Sequence, residues 1–291
     1  MLPFKHQALR LAALSRHVLV IDEAHSYDPY MTRLLETLLE FQGALGGSAI
    51  VTSATLTLEA RRRFVEAFAR GAGWEKPMIK ETGFPLATLV TQGQPVAERV
   101  LSASRGTRRD FSIRRLDGAV AAIDTLLEAA SDGRGAVWIR NTVQDALDAY
   151  QALRAALPQS QIDLFHARFV LGDSLAIERC VLASFGKESK GEQRRRIVIA
   201  TQVVEQSLDC DWDVMISDLA PVDLLIQRAD RLHRHDHHPP RPAPLLHIVS
   251  PEPVPDAGPK WYETAFPRAA YVYPHNGQCW LTMRALLDAA A

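Results

Sequence analysis

The feature that most constrains this chain is a recurring pair, a short apolar run that stops on polar residues and then an amphipathic stretch. Runs this short read as strands buried on both faces, the habit of parallel sheets whose helices cover both sides. Residues 17–21 form one such run. Residues 29–45 follow it, with Met31, Leu34, Leu35, Leu38, Leu39 and Phe41 recurring at helical spacing. Residues 48–52 and 58–72 repeat the strand–helix unit. From 73 to 135 the pattern weakens, and 111–116 alternates like an edge or linking strand. A second series follows, with strands at 136–139, 162–165, 196–200, 214–216 and 245–249. Helices at 143–157, 173–185 and 222–232 separate them, and the tail beyond Pro251 reads as loop-rich. The fold class is therefore α/β with two parallel-sheet domains. Residues 1–116 are the later half of a first domain plus a linker, 117–250 a second domain, and 251–291 the start of an accessory C-terminal region.

Bulk properties narrow the function classes. A length of 291 residues suffices for two domains with their own cores. The formal net charge of −1 gives no global basic field, so a nucleic-acid partner would be met by a few local donors. Cys180, Cys210 and Cys279 lie far apart with no C-x-x-C pair, which argues against a zinc site or a disulfide framework. The run 18–21 is far too short to cross a bilayer, and the first residues do not resemble a signal peptide, so a cytoplasmic protein without membrane contact is expected.

The polar residues at strand ends carry the chemistry, because ligands of open parallel sheets bind at the carboxyl edge. Asp22-Glu23-Ala24-His25 closes the first run. An Asp there can hold Mg²⁺ through water, and an adjacent Glu can orient or deprotonate an attacking water. A polar strand cap is the plainer reading of the pair alone. Ser53-Ala54-Thr55 closes the next run, where the hydroxyls either bond the carboxylate loop or cap the following helix. In the second series Thr201 and Asp209 flank a strand exit, and Asn141, His166 and Arg168 follow two others. On a continuous helix, Gln227, Arg231 and Arg234 would share one face, and two guanidiniums there suit the charge of a transferring phosphoryl group. Two apparent motifs fail on inspection. Gly186-Lys187 is followed by Glu and lacks the upstream glycine of a P-loop. His235-Asp236-His237-His238 runs directly into Pro239-Pro240 and reads as a polar loop rather than a metal cluster.

In order, D-E-A-H, S-A-T, ATQVVEQSLD and QRADRLHRH resemble motifs II, III, V and VI of superfamily-two helicases. The wording of IDEAHSYDPYMTRLLETLL, FHARF and IATQVVEQSLDCDWDVMISDLAPVDLLIQRADRLHRH is similar to the helicase-nuclease of type I, Cascade-dependent CRISPR systems, over roughly residues 1–250. That resemblance implies RecA-like parallel sheets, the first domain incomplete and the second near complete. It implies an ATP-dependent motor that draws single-stranded DNA through a groove, is recruited by the Cascade surveillance complex, and delivers the strand to a separate nuclease domain. ATP and Mg²⁺ are the implied cofactors. Asp22 would hold Mg²⁺ and Glu23 activate water. His25, Ser53, Thr55 and Gln227 would couple hydrolysis to movement, with Gln227 at the interdomain contact. Asp209, Arg231 and Arg234 would meet the nucleotide. Thr201, with Asn141, His166 and Arg168, would meet DNA. Asp230 departs from the family glycine, and a carboxylate beside two arginines would compete with phosphate for them.

No P-loop, nuclease domain or early DNA-contacting motif is legible in these residues, so the expectation is a helicase-core fragment that binds ATP poorly in isolation. A non-catalytic half-motor is the competing reading. It would dock on Cascade or DNA, or complement a separately encoded P-loop-bearing N-terminal half. Another superfamily-two enzyme, such as a restriction translocase, ranks below both.

Overall fold

The computed structural model describes residues 17–24, 29–102, 110–205, 208–235 and 241–290, together with residues 9 and 13. The chain divides into two compact units, residues 1–109 and 110–291.

In the first unit, β1 (Val18–Ile21) and β2 (Ser48–Val51) pair in parallel, Val18 opposite Ser48 and Ile21 opposite Val51. Between them runs α1 (Pro29–Ala44), and α2 (Leu58–Ala72) follows β2. Ile21, Leu35, Leu39, Phe64 and Ala67 form the core against one face of this sheet. The helices approach closely at Gly43 and Gly71, where a Cβ would fall 2.3 Å from the Phe68 carbonyl oxygen and 1.8 Å from that of Glu40. Thr57 caps α2 by accepting the Ala60 N–H at 3.2 Å, and Gly73 ends it in the left-handed region at φ 68°. Beyond lies an antiparallel hairpin, β3 (Leu86–Leu89) with β4 (Ala97–Val100), which the weak sequence pattern did not reveal.

The second unit is built on a six-stranded sheet in the order β5-β10-β9-β6-β8-β7, every pair parallel. Its strands are β5 (Ser112–Leu116), β6 (Ala136–Ile139), β7 (Ile162–Phe165), β8 (Ile197–Ala200), β9 (Val214–Asp218) and β10 (Leu245–Val249). Helices α3 (Gly118–Ser131), α4 (Val143–Arg154), α5 (Leu171–Phe185) and α6 (Val222–Ala229) make the connections. This mostly parallel sheet with flanking helices is the RecA-like α/β arrangement that was expected. β6 and β8 are buried at all four positions, which is why they read as unbroken apolar runs. The order reverses at β6, with β8 and β7 on one side and β9, β10 and β5 on the other. Such a reversal opens a crevice at the carboxyl edge.

Three expectations are corrected. Residues 118–131 form α3, whose Ala122, Leu126 and Ala129 are buried at helical spacing. The edge strand β5 belongs to the second unit, so the division falls at 109/110 rather than 116. The tail contains α7 (Trp261–Ala265) and α8 (Asn276–Ala290), and Tyr262, Phe266, Cys279 and Met283 join the main core.

Candidate functional site

The acidic loop is fixed by backbone pairing that outlasts the strands. Thr52 N–H bonds Ile21 O at 2.8 Å, and Ala24 N–H returns to Thr52 O at 3.0 Å. Asp22 Oδ1 accepts the Thr52 hydroxyl and the Glu23 N–H. Glu23 itself sits at φ 54°, in the left-handed region. That conformation costs a residue with a Cβ about 1–2 kcal/mol. Among the described residues only His233, at φ 51°, shares this property without being glycine. Both carboxylates are exposed. An exposed carboxylate at a strand exit is a donor type that fits Mg²⁺, which keeps several waters and is bound through one or two carboxylates. Ser53 Oγ accepts the Thr55 N–H at 3.3 Å, and the buried Thr55 hydroxyl has no hydrogen-bond partner among the described residues. His25 lies outside the described residues.

In the second unit, the structure brings together the ends of β6, β8 and β9. Asn141 Nδ2 donates to Leu219 O at 2.8 Å and to the Tyr262 hydroxyl at 3.0 Å. Its Oδ1 faces both terminal nitrogens of Arg228 at 3.4 Å. Asn141 is buried, and both of its amide hydrogens are used inside the chain. Thr201 is also buried, its N–H on Phe165 O at 3.1 Å. His166 stacks on Phe169 with ring centroids 4.2 Å apart and accepts the Arg168 N–H on Nδ1 at 3.2 Å. Burial, with the nearby Arg168 charge, lowers its pKa, so the ring is neutral with Nε2 as donor. The Arg168 side chain is exposed.

The common helical face expected for Gln227, Arg231 and Arg234 is not formed. α6 ends at Ala229 because the next residues pair elsewhere. Trp212 N–H bonds Arg231 O, and His233 N–H bonds Trp212 O at 3.1 Å. The arginines are gathered instead by the turn. Arg231 donates to Gln227 O at 3.0 Å and to Glu205 O. Burial and the neighbouring Arg234 pull its pKa below the usual value. Arg231 Nε and Gln227 Nε2 are both buried without a hydrogen-bond partner among the described residues, and such donors call for an explanation. Arg234 is held between Asp209, at 2.8 Å, and Asp230.

Sequence reasoning missed the group that organises this edge. Arg228 is fully buried and donates to Glu205 at 2.7 Å, the Ser217 hydroxyl at 2.7 Å and Asp218 O at 3.1 Å. Buried Asp218 accepts from Trp138 Nε1 at 3.0 Å and Arg140 Nε at 2.8 Å. The signal was present, since Arg228 continues the buried stripe of Leu225 and Ala229. At the opposite edge Arg194 and Arg241 clamp Asp211 and Asp213 and hold the His235 backbone. Burial would raise the Asp213 pKa, but Arg194, the Gly135 N–H and Arg241 keep it below the usual carboxylate value.

A family model described as CRISPR-associated nuclease/helicase Cas3, C-terminal, matches residues 132–237. The CRISPR-associated endonuclease/helicase Cas3 of Escherichia coli K12 is 37% identical over 265 residues, which cover 86% of this chain and 29% of that protein. The chain belongs to the CRISPR-associated helicase-nuclease family. The crystal structure of T. fusca Cas3 with AMPPNP is similar at a TM-score of 0.79 and 33% identity, covering 93% of this chain and 33% of that one. A chain of a CRISPR RNA-guided surveillance complex, pre-nicking, is similar at 0.76 and 31%, covering 98% and 39%. The chain thus spans about a third of the length of these relatives. No described helix is long and apolar enough to cross a membrane.

Proposed function

We propose that the chain is the helicase-core portion of an ATP-driven single-stranded-DNA motor of CRISPR interference. The observation that carries this reading is Glu23, an exposed carboxylate held in a left-handed backbone conformation at a strand exit, beside an Asp anchored by Thr52. Strain of this kind persists at functional positions. Asp22 would hold Mg²⁺ through water, and the ion would neutralise phosphate charge. Glu23 would take the proton of the attacking water. The orphan donors of Gln227 and Arg231 would turn to a phosphate with little movement, with Arg234 beside them. Asp209 would serve by holding Arg234. Ser53, Thr55 and His25 would relay the nucleotide state. Thr201, with Asn141, His166 and Arg168, would meet DNA. The surveillance complex would be the recruiting partner, in keeping with the similar chain found in such a complex.

In the protein that carries this chain, Glu23→Gln should lower DNA-stimulated ATP hydrolysis by about 10²–10⁴-fold without loss of folding. Activity within threefold of the original would refute the assignment.

A half-motor reading is favoured by one observation. On the β1–β2 face opposite the helices, Val18, Val20 and Ile50 are 54%, 62% and 52% exposed. Parallel sheets cover both faces, so a separately supplied P-loop-bearing segment would suit this one. The chain alone would then bind single-stranded DNA in a salt-dependent way and hydrolyse no ATP. ATP hydrolysis by the purified chain, abolished by Glu23→Gln, would remove this reading.

A further inference from the structure

The crevice at a sheet's reversal point is where open parallel sheets take their ligands, yet in the second unit the chain's own tail fills it. Tyr262, from α7, is wholly buried and donates its hydroxyl to Leu219 O at 3.0 Å while accepting from Asn141. Tyr273 stands beside it, ring centroids 6.5 Å apart. Its hydroxyl accepts Gln202 Nε2 at 3.3 Å and also meets Arg228. Gln202 gives its other amide hydrogen to Asn141 O at 3.2 Å.

These contacts form a path. Gln202 opens the 3₁₀ turn Gln202–Glu205, and Glu205 ends it. The Glu205 carboxylate holds Arg228, and its carbonyl holds Arg231. From the tail to the arginine the path runs through the Tyr273–Gln202 hydrogen bond, along the backbone of the short 3₁₀ turn, and through the bond from Arg231 to the Glu205 carbonyl. We infer that Tyr273, braced by Tyr262, is a positioning residue that sets the Gln202–Glu205 turn and through it Arg231. The C-terminal segment thereby acts as a latch on the arginine side of the nucleotide chemistry. The functional part of this inference rests on the motor reading above, whereas the geometric part does not.

Two measurements separate them. In the chain itself, Tyr273→Phe keeps the ring and removes one hydroxyl. Amide hydrogen exchange should quicken several-fold in 201–205 and 227–232 and stay unchanged in α3 and α4. Unchanged exchange in those two segments overturns the latch, whatever the activity. In the protein that carries the chain, Tyr273→Phe should lower kcat for DNA-stimulated ATP hydrolysis about five- to tenfold and shift KM for ATP less than twofold. In an Arg231→Lys background the same substitution should cost less than twofold, because no guanidinium remains to be positioned. Losses that simply multiply would refute action through Arg231. If Tyr273→Phe misfolds, Gln202→Met tests the same link from its other end and should give the same exchange pattern. A protein with no ATP hydrolysis at all would sink the motor reading and leave the exchange result to decide the latch.

Discussion

Arg228 offers the sharpest test of how the second unit holds together. Its guanidinium is wholly buried and lies 2.7 Å from a Glu205 carboxylate that is only 5% exposed. Burial works against its charge, but Glu205, Tyr273 and Asp218 outweigh that and hold its pKa above the usual value. Breaking a buried pair by removing one partner costs about 3–5 kcal/mol, because the other charge stays behind uncompensated. Glu205→Leu and Arg228→Met should each cost that much, and independent effects would sum to about 6–10 kcal/mol. The double variant strands no charge. It leaves the Ser217 hydroxyl, Asp218 O and Asn141 Oδ1 short of a donor, so its loss should be about 2–4 kcal/mol. The coupling between the sites is then about 2 kcal/mol or more. Urea unfolding followed by the fluorescence of the buried Trp138 and Trp212 measures it. Salt at about 1 M should leave the coupling unchanged, since a pair this buried is poorly screened. Additivity of the two single variants within about 0.5 kcal/mol would refute the reasoning.

Other sites give separate tests. Asp230→Gly releases Arg234 from one of its two carboxylates, so affinity for a fluorescent ATP analogue should rise about two- to fivefold, the scale of an exposed ion pair. Weaker binding would mean that Asp230 orders Arg234 rather than competing with phosphate. Burial first, then Arg114 and Arg134, push the His247 pKa down to about 4. The folded state therefore refuses a proton that the unfolded chain takes near pH 6.5. Stability should be full above that pH and fall by up to about 3 kcal/mol as pH drops toward 4, and His247→Leu should flatten this slope in thermal melts taken across the range. Glu23→Asn, which tolerates the left-handed region, should raise the unfolding free energy of the first unit by about 0.5–1 kcal/mol, while Glu23→Val should lower it by at least as much. Equal effects of the two would mean that the loop relaxes and stores no strain.

What the sequence disclosed follows from where side chains end up. β6 is legible to the residue because a strand buried at every position must be apolar throughout, β7 and β10 because each has only one polar residue in a short apolar run, and α2 because Thr57 and Gly73 mark its ends chemically. α3 escaped because Asp117 makes no side-chain cap and Gly118 opens the helix, although Ala122, Leu126 and Ala129 keep the helical period. The tail escaped because six prolines from 251 to 274 suggest loops, while Tyr262 and Cys279 are core residues. At the candidate site, residue types were legible and their orientations were not. Asp22 and Glu23 face outward as their chemistry requires, but the strain at Glu23 depends on Thr52 and Ala24 pairing across β2. The arginines were placed by helical spacing, and that argument failed because the Trp212 backbone competes for residues 231–233. A local period cannot anticipate a competing backbone partner about twenty residues upstream. The same limit hid Arg228. Its charge suggested a surface position, yet a guanidinium in the core is tolerable once Glu205, Ser217, Asp218 and Asn141 converge on it from three different strand ends. Arg231 and Arg234 lie outside that buried cluster. Arg228 instead holds together the turn and strand ends around Arg231, so substitutions there should damage folding before they damage chemistry.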